Sequence, residues 1–379
     1  MGLSVGAAEA ASRNAEPAHA AHGLQRWELP FSPGPLSADE FAAYWHEGYL
    51  VKSGLLSETL LRRAREAVDA EVDLVAEALL KAGKIHDACR NEGFETRLAR
   101  IERQFPSASV LLHKRGVLPE AFSELWGNCQ LTAAVQQLLG PDIAGHPVWN
   151  LRSKAPQQAE MNVPWHQDNA YMSEEAWNNL TVVAWIPLVD ADENNGCMQV
   201  VKQGHRSGQT AKHTCCQGGT WYVEMDEQDA AQKLHVDMQQ DVITCPMSAG
   251  SVLLMSAHIP HRSLPNLSSG VRWSIDLRWQ HPDLPNGFYG LKECIVLAKK
   301  GDPNFTPDWK SWAAVDRGQL QQKKMGNESK DAMSQYYGDN TDEDFDATVH
   351  GPWMDQWEIV NHNKHTAAHD LKPDIKSKA

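Results

Sequence analysis

The chain has no run of eighteen consecutive apolar residues, so no part of it is long enough to cross a bilayer as a helix. Its first two dozen residues are Ala-rich and polar without a hydrophobic signal-peptide core, which argues against secretion. Basic charge is scarce as well. The 35 Lys and Arg stand against 49 Asp and Glu, giving a formal charge of −14, and no cluster of cations could form a face for nucleic acid or an anionic membrane. Cysteine is sparse: seven residues, an odd number without a Cys-x-x-Cys spacing, read as reduced thiols, the adjacent Cys215 and Cys216 included. Internal repeats are also missing. The expectation is a soluble, cytoplasmic protein. Ser377-Lys378-Ala379 differs from the peroxisomal Ser-Lys-Leu address at its last residue, which makes peroxisomal import the weaker reading.

Residues 1 to 24 read as a disordered leader, because they offer too few large apolar side chains to offset the entropy of ordering. Ser37-x-x-Glu40 is a capping box that starts a helix, Gly48 stops it, and Tyr49-Leu50-Val51 is strand-like. Ser57 caps a longer helix running to about Gly83, with Leu61, Ala64, Val68, Val72 and Val75 on the face that should pack on a sheet. From Pro147 the rhythm changes to short β segments between turns: Thr181 to Leu188, Gln199 to Lys202, Ser251 to Met255 and Val271 to Trp279. The last strand alternates cleanly, with Val271, Trp273, Ile275, Leu277 and Trp279 on one face and Arg272, Ser274, Asp276 and Arg278 on the other. A strand with its apolar face covered and its charged face turned inward describes a barrel holding an anionic ligand.

The fold class expected is therefore mainly β with flanking α-helices around a barrel or sandwich. Its helical lead spans 36–83 and its β core about 147–285, within a domain of 25–290. Residues 291–379 are read as an extension wrapping that core, ordered around Trp353 and Trp357 and disordered from about 362. The tail histidines His362, His365 and His369 could share a helix face, but a solvated end is the commoner outcome for such a segment.

Chance supplies about one His-x-Asp triplet in a chain with 17 His, and three are present: His166/Asp168, His235/Asp237 and His281/Asp283. Two features favour the first. His261 lies far enough downstream for several strands to intervene, and Arg272 and Ser274 follow it, whereas Arg317 is the one Arg after His281. In an extended strand residues i and i+2 point to one side, so His166 and Asp168 can converge on one ion. With His261 they form a two-imidazole, one-carboxylate face suited to Fe(II). His258 is the competing ligand, three residues before His261 and off its strand face. Arg272 can grip a carboxylate through two parallel charge-assisted hydrogen bonds, with Ser274 adding a hydroxyl on the same face.

These residues resemble the phytanoyl-CoA dioxygenase-like family of Fe(II)/2-oxoglutarate oxygenases, whose core is a double-stranded β-helix, a cupin-like jelly roll. The matching pieces are Pro164-Trp165-His166-Gln167-Asp168, Ala184-Trp185-Ile186-Pro187-Leu188, Asn195-Gly196-Cys197-Met198 and Gly250-Ser251-Val252 leading to His261, over roughly residues 36 to 285. The resemblance implies that His166, Asp168 and His261 bind Fe(II), and that Arg272 and Ser263 bind 2-oxoglutarate. Trp185 matches an aromatic position near the cosubstrate, and Lys154 lies in a basic segment that reaches the site. O2 would be the second cosubstrate, and hydroxylation with release of succinate and CO2 the default outcome. Asp168 disfavours halogenation, which needs that ligand position vacated. Trp165, Tyr171 and Trp177 are the aromatics expected at the substrate entrance. The chain departs from the family at Lys202-Gln203-Gly204-His205, where Pro-Gly-Ser-His is common, and in its long carboxy-terminal third. The readings set against this one are a cupin-like metal-dependent hydrolase or isomerase, and a non-catalytic binding protein on the same barrel.

Overall fold

A computed structural model of the chain describes residues 30–324 and 345–367. The leader expected at 1–24, His369 and the tripeptide Ser377-Lys378-Ala379 lie outside the described residues. Helix α1 (Ala38–Glu47) begins where the Ser37 hydroxyl accepts the Glu40 N–H and the Glu40 carboxylate returns a bond to the Ser37 N–H. It ends at Gly48, whose φ of +84° is open to glycine at little cost. A Cβ there would also meet His205 Nδ1 at 2.3 Å and Ile259 Cδ1 at 2.4 Å. Strand β1 (Tyr49–Lys52) follows, then α2 (Glu58–Lys81) capped by Ser57. The stripe Leu61, Ala64, Val68, Val72 and Val75 is buried, as its spacing requires.

Four helices that the sequence did not announce come next: α3 (Arg97–Gln104), α4 (Ala108–Lys114), α5 (Glu120–Trp126) and α6 (Cys129–Leu139). They are short, and three of them lack a side-chain cap, so no start signal marks them. Together with α2 they cover the outer face of a large antiparallel sheet. That sheet contains β1, β2 (Ile143–Gly145), β3 (Asn150–Lys154), β4 (Val182–Pro187), β9 (Val252–Ser256), β11 (Arg272–Gln280) and β12 (Ile295–Ala298). The strand order is β1-β9-β4-β11-β2-β12, with β3 pairing β11 alongside β2. A smaller sheet of β5 (Met198–Val201), β8 (Val242–Cys245) and β10 (His261–Ser263) runs in the order β10-β5-β8. A hairpin of β6 (His213–Cys215) and β7 (Val223–Met225) leads into α7 (Glu227–Leu234).

Two apolar layers hold the sheets in place. Val182, Ala184, Ile186, Val252, Leu254 and the odd-numbered face of β11 join the helices in one core. Their neighbours Val183, Trp185, Leu253 and Met255 meet Met198, Val200 and Cys245 of the smaller sheet in a second. Period-two alternation thus sends each central strand into both layers, which is the construction of a double-stranded β-helix. Trp273 and Trp279 are fully buried against the helices, and truncating either to Ala would cost about 3–5 kcal/mol.

Three expectations need correction. The boundary at 290 does not separate an extension from the core, because β12 pairs with β2 as a strand of the large sheet. Helices α8 (Trp309–Ala313) and α9 (Arg317–Lys324) follow, and Trp309 and Trp312 pack on Trp126. Residues 362–367 are packed where disorder was expected: His365 and Thr366 are fully buried, with His365 against Trp221 and its Nδ1 accepting the Val349 N–H, while 368–379 lie outside the described residues. Finally, Cys215 and Cys216 are joined as a disulfide instead of standing as thiols. No helix among the described residues is long and apolar enough to cross a membrane.

Candidate active site

His166 and His261 face each other as an antiparallel pair, each donating its backbone N–H to the other's carbonyl, at 3.0 and 2.9 Å. The strand ends there. Gln167 is still extended, but Asp168 opens a turn of 3₁₀ helix (Asp168–Tyr171), so strand parity carries the triplet one residue less far than expected. Gln167 turns the other way. Its amide donates to the carbonyls of Gln209 and His258 and accepts the Ala211 N–H, which pins the segment behind the site.

Asp168 Oδ1 lies 3.5 Å from His166 Nε2 and 3.8 Å from His261 Nε2, and all three residues are buried. Among the described residues this is the one group of three or more metal-ligating side chains. His166 Nδ1 donates to the Pro164 carbonyl and His261 Nδ1 to the Ile259 carbonyl, each at 2.9 Å. Because a carbonyl can only accept, both imidazoles keep their proton on Nδ1 and aim a free Nε2 lone pair at the common point. Burial, then the neighbouring His166, lowers the His261 pKa to about 4, which keeps it a neutral ligand. Burial alone would raise the Asp168 carboxyl, but the Arg278 guanidinium paired with it holds it well below the usual carboxylate range. Two neutral nitrogens and one ionised oxygen are a donor set that fits a divalent transition metal.

Arg278 was not foreseen as a partner of the site. It projects from the same inward face of β11 as Arg272, and its Nε and Nη2 reach Asp168 Oδ2 at 2.9 and 2.8 Å. That leaves Oδ1 toward the imidazoles. Its parity with Arg272 in the strand was the available signal.

A cavity beside the triad is lined by Lys154, Val163, Trp185, Met198, Ser263 and Arg272, among others. Arg272 is buried, lies 5.1 Å from the Trp185 ring centroid, and gives Nη1 to Ser274 Oγ at 2.6 Å. Its Nε has no partner among the described residues, and burial lowers the guanidinium to about 10, still a cation at neutral pH. Lys154 donates to Asn162 Oδ1 at 2.8 Å, and burial with Arg272 and Arg152 nearby pushes it well below the usual lysine value. A buried guanidinium and a buried lysine amine facing one small cavity fit a dicarboxylate ligand. Gly196, at φ +91°, closes over them: a Cβ there would meet Leu264 O at 2.5 Å and Lys154 Cδ at 2.8 Å. Ser274 differs from its expected part, since it does not line the cavity and spends its hydroxyl on Arg272.

A second, larger cavity shares Arg152, Asp168 and Arg278 with the first, so the Asp168 carboxylate stands where the two meet. Tyr171 lines it, leaning on His166 at 5.6 Å. Trp165 and Trp177 do not. Trp165 packs with Val201 and Met225 under Arg262, and Trp177 stacks on Trp357 at 5.6 Å and donates to the Met172 carbonyl. The wall also includes Trp221, Tyr222, Phe288, Arg317, Thr348 and Trp353, none of which the sequence singled out as a site residue. The decoy triplets stay outside. His281 and Asp283 share a turn, His235 ends α7, and His258 Nε2 is taken by the Trp177 carbonyl at 2.6 Å.

The chain is 24% identical over 263 residues to 1-deoxypentalenic acid 11-beta-hydroxylase of Streptomyces arenae, covering 68% of this chain and 85% of that one. It is 24% identical over 140 residues to phytanoyl-CoA dioxygenase of Arabidopsis thaliana, covering 33% and 46%. Among solved structures, the non-heme monooxygenase ThoJ overlays with a TM-score of 0.49 at 17% identity, covering 76% of this chain and 100% of that one. The family model for phytanoyl-CoA dioxygenase (PhyH) matches residues 44–274, more than half the sequence, and spans the triad and Arg272. The chain belongs to the phytanoyl-CoA dioxygenase family, whose members are Fe(II)- and 2-oxoglutarate-dependent oxygenases.

Proposed function

We propose that His166, Asp168 and His261 hold Fe(II), that Arg272, Lys154 and Ser263 hold 2-oxoglutarate beside Trp185, and that the enzyme hydroxylates a C–H bond of a small organic molecule lying in the larger cavity. One observation carries this reading. Two imidazoles with fixed tautomers and one carboxylate oxygen meet at a buried point, next to a guanidinium that has no carboxylate partner among the described residues. Iron, 2-oxoglutarate and O2 supply the oxidising power for the hydrogen abstraction, with succinate and CO2 as co-products.

The chain's own residues position and shield. Arg278 fixes the Asp168 carboxylate by two charge-assisted bonds. Ser274 holds the Arg272 guanidinium, which orients the far carboxylate of the cosubstrate. Val183, Trp185, Met198 and Met255 keep water from that side. Tyr171 and Trp353 form an aromatic edge-to-face pair at 5.5 Å that walls the substrate side. A cupin-like hydrolase or isomerase has no need of the Arg272 pocket, and a binding protein none of fixed imidazole tautomers. The enzyme acts in the cytoplasm, a placement that a fluorescent fusion with a free carboxy terminus tests against peroxisomal import.

The activity test supplies Fe(II), O2 and 2-oxoglutarate with pools of small organic molecules and measures succinate. One pool is expected to raise succinate above the substrate-free rate. Turnover of a pool component that proceeds equally without 2-oxoglutarate would overturn the reading.

A further inference from the structure

The substrate cavity faces four cationic side chains: Lys114, Arg152, Arg278 and Arg317. Three have a carboxylate. Lys114 pairs with Asp346 at 3.3 Å, Arg152 with Asp276 at 2.8 Å and Arg278 with Asp168 at 2.8 Å. Arg317 forms no ion pair among the described residues, the adjacent Asp316 carboxylate accepting the Gly318 and Gln319 N–H groups instead. It is 7% exposed, donates Nη1 to the Trp149 carbonyl, and lies 5.0 Å from the Trp149 ring centroid. A buried guanidinium without a counter-ion is costly unless a ligand completes it.

The placement of Arg317 is built. It begins α9, whose first turn meets the loop after α4 through two glycines. A Cβ on Gly116 would meet Asp316 Oδ1 at 2.1 Å and Gly318 N at 2.4 Å, and one on Gly318 would meet Lys114 O at 2.9 Å. That backbone contact seats the guanidinium beside Trp149 on the cavity wall. The segment lies beyond the residues matched by the family model, so it is a feature of this chain's own extension.

We propose that Arg317 is the substrate's anion receptor, and that the substrate is a small organic acid whose carboxylate pairs with Arg317 while its apolar body lies among Tyr171, Trp221, Phe288 and Trp353. This rests on the oxygenase reading above and extends it to a substrate class. Burial, with Arg278 nearby, lowers Arg317 to about 9, so it remains a cation at neutral pH. A single unpaired guanidinium matches one carboxylate. The several phosphates of a coenzyme A thioester would need more free cations than the described lining provides.

The test compares benzoate with benzamide, two planar probes of equal size and different charge. They are titrated into the full chain with Fe(II) and saturating 2-oxoglutarate under anaerobic conditions, and binding is followed by tryptophan fluorescence. Wild type is expected to prefer benzoate at least tenfold. Arg317→Gln should abolish the preference with benzamide unchanged, and Arg317→Lys should restore part of it. Equal affinities in wild type, no benzoate binding up to roughly 20 mM, well above a Kd of about 1 mM, or an undiminished preference in Arg317→Gln would each overturn the proposal. Coenzyme A thioesters form a third arm, and tighter binding of benzoyl-CoA than of benzoate would overturn the free-acid assignment. The visible iron-to-ketoacid absorbance, recorded in the same samples, reports separately on the oxygenase reading. If that band is absent while benzoate preference persists, the oxygenase reading fails and the anion receptor stands.

Discussion

Arg272→Ala removes the guanidinium that we propose orients the far carboxylate of 2-oxoglutarate. The wild-type guanidinium is 3% exposed and held from two sides, by Ser274 Oγ at 2.6 Å and by the Trp185 ring at 5.1 Å. It is thus ordered before the cosubstrate arrives. In the variant the carboxylate would be buried against Lys154 and Trp185 without its guanidinium. Breaking a buried charged pair costs about 3–5 kcal/mol, which corresponds to a Kd raised by roughly 10² to several times 10³. Arg272→Lys keeps the charge but loses the planar fork, and about a tenfold weakening is expected. The assay is a titration of 2-oxoglutarate into anaerobic Fe(II)-loaded protein, followed by the visible charge-transfer absorbance. Iron retention measured without cosubstrate should be unchanged, because Arg272 touches none of the three proposed ligands. A Kd within fivefold of wild type for Arg272→Ala, in protein with an unaltered thermal midpoint, would refute the assignment.

Asp168→Ala should lose iron retention and all substrate-dependent succinate formation, and full activity in that variant would refute its role as a ligand. Gly196→Ala forces a left-handed backbone and drives a Cβ against Leu264 O and the Lys154 stem. A loss of at least about 2 kcal/mol in denaturant unfolding is expected, together with weaker 2-oxoglutarate binding. His146, His213 and His258 are buried and held by burial at about 3, 3 and 4. Their folded values lie below the ordinary 6.5, so the unfolded chain takes up more protons and stability falls as pH drops from about 6.5 toward 4. The three together give a slope of up to roughly 4 kcal/mol per pH unit for the metal-free protein. A flat unfolding free energy from pH 7 to pH 5 would contradict their burial as neutral groups.

Much of the fold was legible because local and tertiary signals agree. The Ser37 capping box, the α2 stripe and the alternation of β11 each appear where pattern places them, and the inward face of β11 supplies both Arg272 and Arg278. What stayed hidden depends on contacts distant in sequence. Arg278 reads as one more inward residue until the turn at Asp168 brings the carboxylate to it. Helices α3 to α5 are too short and uncapped to carry a periodic signal. The extension looked peripheral because its acidic stretches are polar, yet β12 completes the large sheet and Arg317, Thr348 and Trp353 close the larger cavity. The aromatic expectations failed at Trp165 and Trp177 for a related reason: a large ring near the triplet buries as readily in a flanking core as in a cavity wall.

The most direct test of the central claim is anaerobic addition of Fe(II) and then 2-oxoglutarate to the metal-free chain. A visible iron-to-ketoacid charge-transfer band should appear in wild type at near-stoichiometric iron, and should be absent in Asp168→Ala. Confirmed iron binding at His166, Asp168 and His261 without any such band on addition of 2-oxoglutarate would contradict the account.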